Sequence, residues 1–329
     1  MESMLQVLSK EHSCSLYELS REPGKSRVFI ASTPETRAIC NDPFITGTQY
    51  TRSLTAACAK TLQALKKAQA LDLKEADTTV LHILRGGLNF GLREALSDAF
   101  SWNDHASAFV SAQRARSSTN PADWIITETA YSKLHLRKID NVVFGDVVAT
   151  GTSLRYALQQ IGHTAKASGS EICSLTFFTI GSPCSHAIID EIDREYRLHF
   201  PDYQGSSVIY IEGIFQMATD ATAMKIKIDG TDLLRTESVL APEFIESQYE
   251  YPSFPLERCT IYDAGSRAFD IDEYLHDVKD YWHQTMLLAE GGMTFKQLLH
   301  ERFPELDAQR FGDTNLETLA RAQLSKAQR

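Results

Sequence analysis

The chain has 329 residues, 43% of them hydrophobic and 23% charged, enough for a sizeable core in one large domain or one and a half typical ones. Its net charge of −10 argues against a nucleic-acid partner, which needs a basic face, yet leaves room for a basic pocket around a small polyphosphate. Six cysteines without a C-x-x-C pair argue against structural zinc and suit a reducing compartment. No N-terminal stretch has the apolar core of a signal peptide, and no run approaches the ~18–20 apolar residues of a membrane span, so the expected location is the cytoplasm, with no membrane partner.

Taken in chain order, Leu54, Ala57, Cys58, Leu62, Leu65 and Ala68 recur near helical period and predict an amphipathic helix over 53–70. Strand 79–84, helix 91–100, strands 107–111 and 141–146, helix 153–168, strand 171–180, helix 184–196 and strand 207–214 follow. Near-continuously apolar strands separated by helices predict an α/β fold, a Rossmann-like parallel sheet flanked by helices. Ligands of such sheets bind at the carboxyl ends of the strands. Segment 112–140 reads as a long loop, with Trp124, Ile125 and Ile126 as a β-hairpin packed on the core. Downstream of Phe269, DIDEYLHDVKDYW is an amphipathic helix with acids in its first turn, and two short amphipathic helices are expected around 294–299 and 315–319. The apolar faces of these two suggest a subunit contact, with a homodimer as the commonest closed assembly, or a cover over the site.

Two strand ends carry chemistry. Asn141–Phe144 lead into Gly145-Asp146, then Val147-Val148, then the small run Ala149-Thr150-Gly151-Thr152-Ser153 and a helix. Backbone N–H groups, hydroxyls and the positive end of a helix form a cradle for phosphate, and a carboxylate at the strand end can accept from two sugar hydroxyls. Together they predict a site for a phosphorylated ribose, against the plainer alternative of an ordinary strand–loop–helix crossover. The second strand, Thr79–Leu84, stops at Arg85-Gly86-Gly87, where a sharp turn brings N–H groups and a guanidinium fork to the strand end.

The first of these segments resembles the 5-phosphoribosyl-1-pyrophosphate (PRPP) motif of type I phosphoribosyltransferases, and the chain is most similar to the uracil type. Asp146 matches the second acidic position and Ala149–Ser153 the 5'-phosphate loop, while Gly145 replaces the usual first acid. In the uracil enzymes a strand-R-x-G-L turn binds pyrophosphate, which makes Arg85, Gly86 and Gly87 pyrophosphate-loop candidates. Those enzymes also carry an arginine-containing loop before a Y-x-K-L element, matched here by Arg114 and Arg116 ahead of Tyr131-Ser132-Lys133-Leu134; solvated surface arginines are the alternative. Asp263-Ala264-Gly265-Ser266-Arg267-x-Phe269 resembles their G-D-A-G-D-R-x-F element. That match implies Tyr262, Asp263 and Arg267 on the base and pyrophosphate side, with Asp263 near a metal-bound pyrophosphate, and a turn-plus-cap role is the alternative.

The resemblance implies a Mg2+-dependent transfer of the phosphoribosyl group from PRPP to a nucleobase or similar heterocycle, with release of pyrophosphate and with Asp146 and Arg85 in the catalytic roles. A binding or regulatory protein on the same fold is the alternative function. It also implies a hood and extra C-terminal helices around the core, with a helical or hood segment at 1–75, the core at 76–215, a base-side hood at 216–284 and a helical extension at 285–329. Ala149 stands where 6-oxopurine enzymes have an Asp, which disfavours hypoxanthine and guanine. Glu257 and Arg258 stand near the expected base contacts and predict that uracil is not the best substrate.

Overall fold

The computed structural model describes residues 5–84, 86–116, 124–258 and 264–327, and the side chains of 112–116, 124–130 and 264 lie outside that description. The chain begins with β1 (Leu5–Glu11), β2 (Cys14–Leu19) and β3 (Arg27–Ser32), paired antiparallel in that order. Helices α1 (Pro34–Asn41) and α2 (Gly47–Lys67) follow; Thr33 and Thr36 form a reciprocal capping box that starts α1, and Pro34 presets its first φ. Next come β4 (Thr78–Leu84), α3 (Leu92–Phe100), β5 (Ala106–Arg116), β6 (Trp124–Lys133) and β7 (Ile139–Val148). Then α4 (Thr152–Ser168), β8 (Glu171–Gly181), α5 (Cys184–His199), β9 (Gly205–Met217) and β10 (Leu233–Leu240) complete the sheet. Five further helices close the chain: α6 (Pro242–Ser247), α7 (Ala264–Phe269), α8 (Ile271–Glu290), α9 (Phe295–Arg302) and α10 (Leu316–Ala327).

The strands form one ten-stranded sheet in the order β1-β2-β3-β9-β8-β7-β4-β5-β6, with β10 also paired to β9. Every pairing from β3 through β9, β8, β7 and β4 to β5 is parallel, so the sheet is parallel at its centre and antiparallel at its margins. From β4 the chain runs outward to β5 and β6, returns to lay β7 on the other side of β4, and continues the opposite way to β8 and β9. The strand order therefore reverses between β4 and β7, and such a switch point opens a crevice at the strands' carboxyl ends. Both motif-bearing strands are the ones that flank it.

Core packing fixes β7 in place. Val142, Val143 and Phe144 are fully buried, and Phe144 stacks on Phe177 of β8 with ring centroids 4.7 Å apart. Burying side chains of this size contributes roughly 1.5–3 kcal/mol each.

Three expectations change. The N-terminal segment 1–75, expected to be helical or a hood, carries α1 and α2 but opens with three strands over residues 5–32. Edge strand β1, LQVLSKE, is exposed or half-buried throughout, so it lacks the alternation that marks a strand and takes its register from β2. Most of the expected loop 112–140 is strand: β5 extends to Arg116 and pairs antiparallel with β6, so that Trp124, Ile125 and Ile126, expected in a short β-hairpin, lie on one strand of a longer antiparallel pair. Thr, Ile, Trp and Tyr in WIITETAY suit a pleated strand. Finally, the tail helices bury their apolar faces within the chain itself, through Phe295, Leu298 and Leu299 of α9 and Leu316 and Ala320 of α10, which removes the ground for reading those faces as a dimer contact. Among the described residues no helix is long and apolar enough to cross a membrane.

Candidate functional site

The end of β7 delivers Asp146 to the switch point. The side chain is 9% exposed, and its Oδ1 accepts the Val147 N–H at 2.9 Å. Beyond Val148 the chain turns through Ala149 and Thr150 to Gly151, the N-cap of α4. Gly151 has a φ of +78°, and a Cβ there would sit 2.1 Å from Ile188 Cδ1, so both conformation and space demand glycine. No side chain caps α4 among the described residues. Its first N–H groups thus meet the turn that carries the Thr150 and Thr152 hydroxyls, 3.5 Å apart, with Ser153 in the same helical turn. A helix start with open N–H groups and hydroxyls beside it is suited to an anion.

The end of β4 packs directly against this. Gly86–Phe90 form a tight helical turn, in which a Cβ on Gly86 would stand 3.0 Å from Asp146 Oδ1 and one on Gly87 would stand 2.8 Å from the Gly145 carbonyl. The two glycines let the turn lie on the end of β7, so the two motifs share one crevice. Phe90, fully buried at the end of that turn, explains the departure at Gly145: a Cβ at 145 would lie 2.4 Å from Phe90 Cγ. The aromatic ring occupies the volume that an acidic side chain would need. Arg85 lies outside the described residues.

Residues that the sequence did not single out hold the Ala149–Ser153 loop in place. Ser182 Oγ and Cys184 Sγ, at the β8–α5 junction, both donate to the Ala149 carbonyl, at 3.0 and 2.9 Å. Tyr210 Oη on β9 accepts the His186 N–H at 3.2 Å and donates to the Ser182 carbonyl at 3.1 Å. Burial raises the Cys184 thiol pKa, which keeps the group a neutral donor. The contacts to the Ala149 carbonyl join residues more than thirty positions apart, and no local pattern announces them. His82, whose register partner on β7 is Gly145, is stacked on Phe109 and pushed down to about 4 by burial and by Arg93, so its ring stays neutral.

The segment after β9 reaches the loop from the other side. A Cβ on Gly230 would lie 4.0 Å from Thr150 Cγ2, and Asp232 nearby accepts from Arg258 Nε and Nη2 in a buried ion pair. Glu257 accepts the Trp282 indole N–H at 2.7 Å, and burial raises its carboxyl to about 7. Glu257 and Arg258 are thus buried and engaged within the chain, so the expectation that their charge would shape a base pocket loses its basis. Arg267 is likewise fully buried, donating to the Ile45, Ile39 and Asp42 carbonyls and lying over the Tyr50 ring. It anchors α7 to the segment after α1, in keeping with the turn-holding alternative.

Of the remaining site candidates, Tyr262 and Asp263 lie outside the described residues. The backbones of Arg114 and Arg116 pair with Ile126 and Trp124 on the β5–β6 hairpin, and their side chains are outside the description. Among the described residues no group of three or more His, Cys, Asp or Glu side chains is arranged to hold a metal ion.

No family model matches the chain, and no curated protein does. Among solved structures, it is similar to a hypoxanthine-guanine phosphoribosyltransferase from Bacillus anthracis at 17% identity, over 42% of this chain and 72% of that one, with a TM-score of 0.27. It is also similar to the hypoxanthine-guanine phosphoribosyltransferase of L. donovani, at 14% identity over 50% and 84% of the two chains with a TM-score of 0.26. A third is the hypoxanthine phosphoribosyltransferase of Trypanosoma cruzi, at 14% identity over 60% and 95%, with a TM-score of 0.27.

Proposed function

We propose that this chain is a phosphoribosyltransferase-like enzyme that binds PRPP and passes its phosphoribosyl group to a nucleobase or similar heterocycle. The observation that carries this reading is the shared crevice at the switch point, where the Gly86–Gly87 turn lies against Asp146 and the Ala149–Ser153 loop opens α4. In the reaction a ring nitrogen of the acceptor bonds to C1 of the ribose, and the C1–oxygen bond breaks with its electron pair leaving on pyrophosphate. Asp146 would accept from the ribose hydroxyls, and the N–H groups of the loop with the Thr150, Thr152 and Ser153 hydroxyls would hold the 5'-phosphate. The Gly86 and Gly87 backbone, with Arg85, would hold pyrophosphate.

The buried Asp146 carboxylate at the crevice fits Mg2+, which binds through one or two carboxylates together with substrate phosphate oxygens and water, and Asp263 is a further ligand candidate. When bound, the ion would neutralise charge on the leaving pyrophosphate. Ala149 presents no carboxylate to the base, so hypoxanthine and guanine are the least favoured acceptors in this reading.

One observation favours a second reading, a PRPP-binding regulatory protein without turnover: Phe90 excludes the first acid of the motif from position 145. Calorimetry with PRPP and pyrophosphate release across uracil, adenine, orotate, hypoxanthine and guanine separate the two. Turnover with one base, lost in Asp146→Asn while the fold is kept, is the expected result. PRPP binding with no release for any base supports the regulatory reading, and absence of PRPP binding sinks both.

A further inference from the structure

The opposite edge of the sheet holds a cavity of about 480 Å³, at the amino ends of β3, β8 and β9. Four cationic side chains line it, Arg21 and Lys25 from the turn between β2 and β3, Arg27 at the start of β3, and Arg197 near the end of α5; Asp72 is the one acid in its lining. In a chain of net charge −10, three cations from residues 21–27 and a fourth from the far end of α5 meet on one concave surface. We propose that this cavity is a second small-molecule site, for a phosphorylated polyanion of nucleotide size.

The cations are held rather than spent. Arg27 is positioned by Glu18 at 2.8 Å and by the Ala70 carbonyl at 3.1 Å, contacts made through Nε and Nη1, and among the described residues nothing takes up its Nη2 donors, which leaves them for a ligand. Arg197 donates to the Gly24 carbonyl at 3.2 Å and stands 3.6 Å from Asp193. Lys25 pairs with exposed Glu22 at 2.6 Å, an ion pair of a kind that contributes little and opens readily. Arg21 has no ion pair among the described residues. Guanidinium forks fixed in this way match phosphate oxygens. The volume exceeds what a bare phosphate fills and falls in the ordinary range for small-ligand sites. Leu71 and Leu175 supply an apolar wall against which a ring can lie.

This site is independent of the reading made for the carboxyl edge, since the parallel strands place the two at opposite ends of the sheet. Calorimetry on the full chain with adenosine triphosphate, uridine triphosphate and inorganic triphosphate tests it, in the wild type, in Arg21→Glu/Lys25→Glu and in Asp146→Asn. Arg21 and Lys25 are exposed, so their replacement leaves the core intact, checked by an unchanged Tm. At least one nucleotide is expected to bind at least tenfold more tightly than inorganic triphosphate, to lose at least tenfold in the double variant, and to keep its affinity in Asp146→Asn. No binding of either nucleotide overturns the proposal and leaves the cations serving the nearby helix C-termini. Equal binding of inorganic triphosphate overturns the assignment to a nucleotide-sized ligand, and nucleotide binding indifferent to the double variant overturns the location.

Discussion

At the carboxyl edge, Gly86, Gly87 and Gly145 let backbone meet backbone and ring, and Asp146 and three hydroxyl residues are gathered around a helix start that no side chain among the described residues caps. Between residues 232 and 302 the reverse holds. Arg258 is committed to Asp232, Arg267 to three carbonyls, and Arg235 and Arg302 to the Glu257 carbonyl, all of them buried. Both regions show charged residues in suggestive strings, but only the first pairs a strand-end carboxylate with an open helix start. The second uses its charges to tie irregular segments together where a sheet ladder is missing. Charge near a motif is evidence of a site only once the partners of that charge are known.

The comparison predicts opposite costs of mutation. Asp232→Ala leaves the Arg258 guanidinium buried without its carboxylate and is expected to cost about 3–5 kcal/mol, read from the urea midpoint. Replacing both residues by leucine should recover much of that loss; a double variant as unstable as the single one would show that the pair does more than satisfy itself.

Glu257 sharpens the same contrast through pH. The folded chain holds its proton up to about 7, whereas an unfolded glutamate releases it near 4.5. The native state therefore binds more protons between these values, so the stabilisation is complete below about 4.5 and is lost as pH rises through 7. The difference corresponds to an effect on the order of 3 kcal/mol, and Glu257→Gln is expected to flatten that part of the stability–pH curve. An unchanged slope would assign the titration elsewhere, with Glu212, also buried and raised to about 7, as the alternative.

The smallest single effect belongs to Gly145. Gly145→Ala drives a methyl into the Phe90 ring and is expected to cost about 1–3 kcal/mol. Phe90→Ala alone opens a cavity and costs about 3–5 kcal/mol, yet the double variant should cost clearly less than the sum, because each change relieves the other. Additive losses would mean that the ring and the strand end do not interlock.

The alternation of apolar strands with helices made the central sheet legible, because burial on both faces leaves a continuous hydrophobic run that survives any tertiary arrangement. Asp146 and the Ala149–Ser153 turn were legible for a related reason: a strand end, a small-residue loop and a helix start are contiguous in the chain. The hairpin of β5 and β6 was mostly missed, since an antiparallel margin carries no such run, and β1 shows no pattern of its own.

Taken alone, the residues determined the α/β class, the order of the central strands along the chain, and the two strand ends with a carboxylate, glycines and hydroxyls, all of which depend on near neighbours. The tertiary structure decided that β4 and β7 lie side by side across a reversal of strand order, that Phe90 takes the place of an acid at 145, and that Glu257, Arg258 and Arg267 face inward. Those outcomes rest on contacts between segments distant in the chain, where packing volume and the cost of an unpaired buried charge choose among arrangements that local pattern leaves equal.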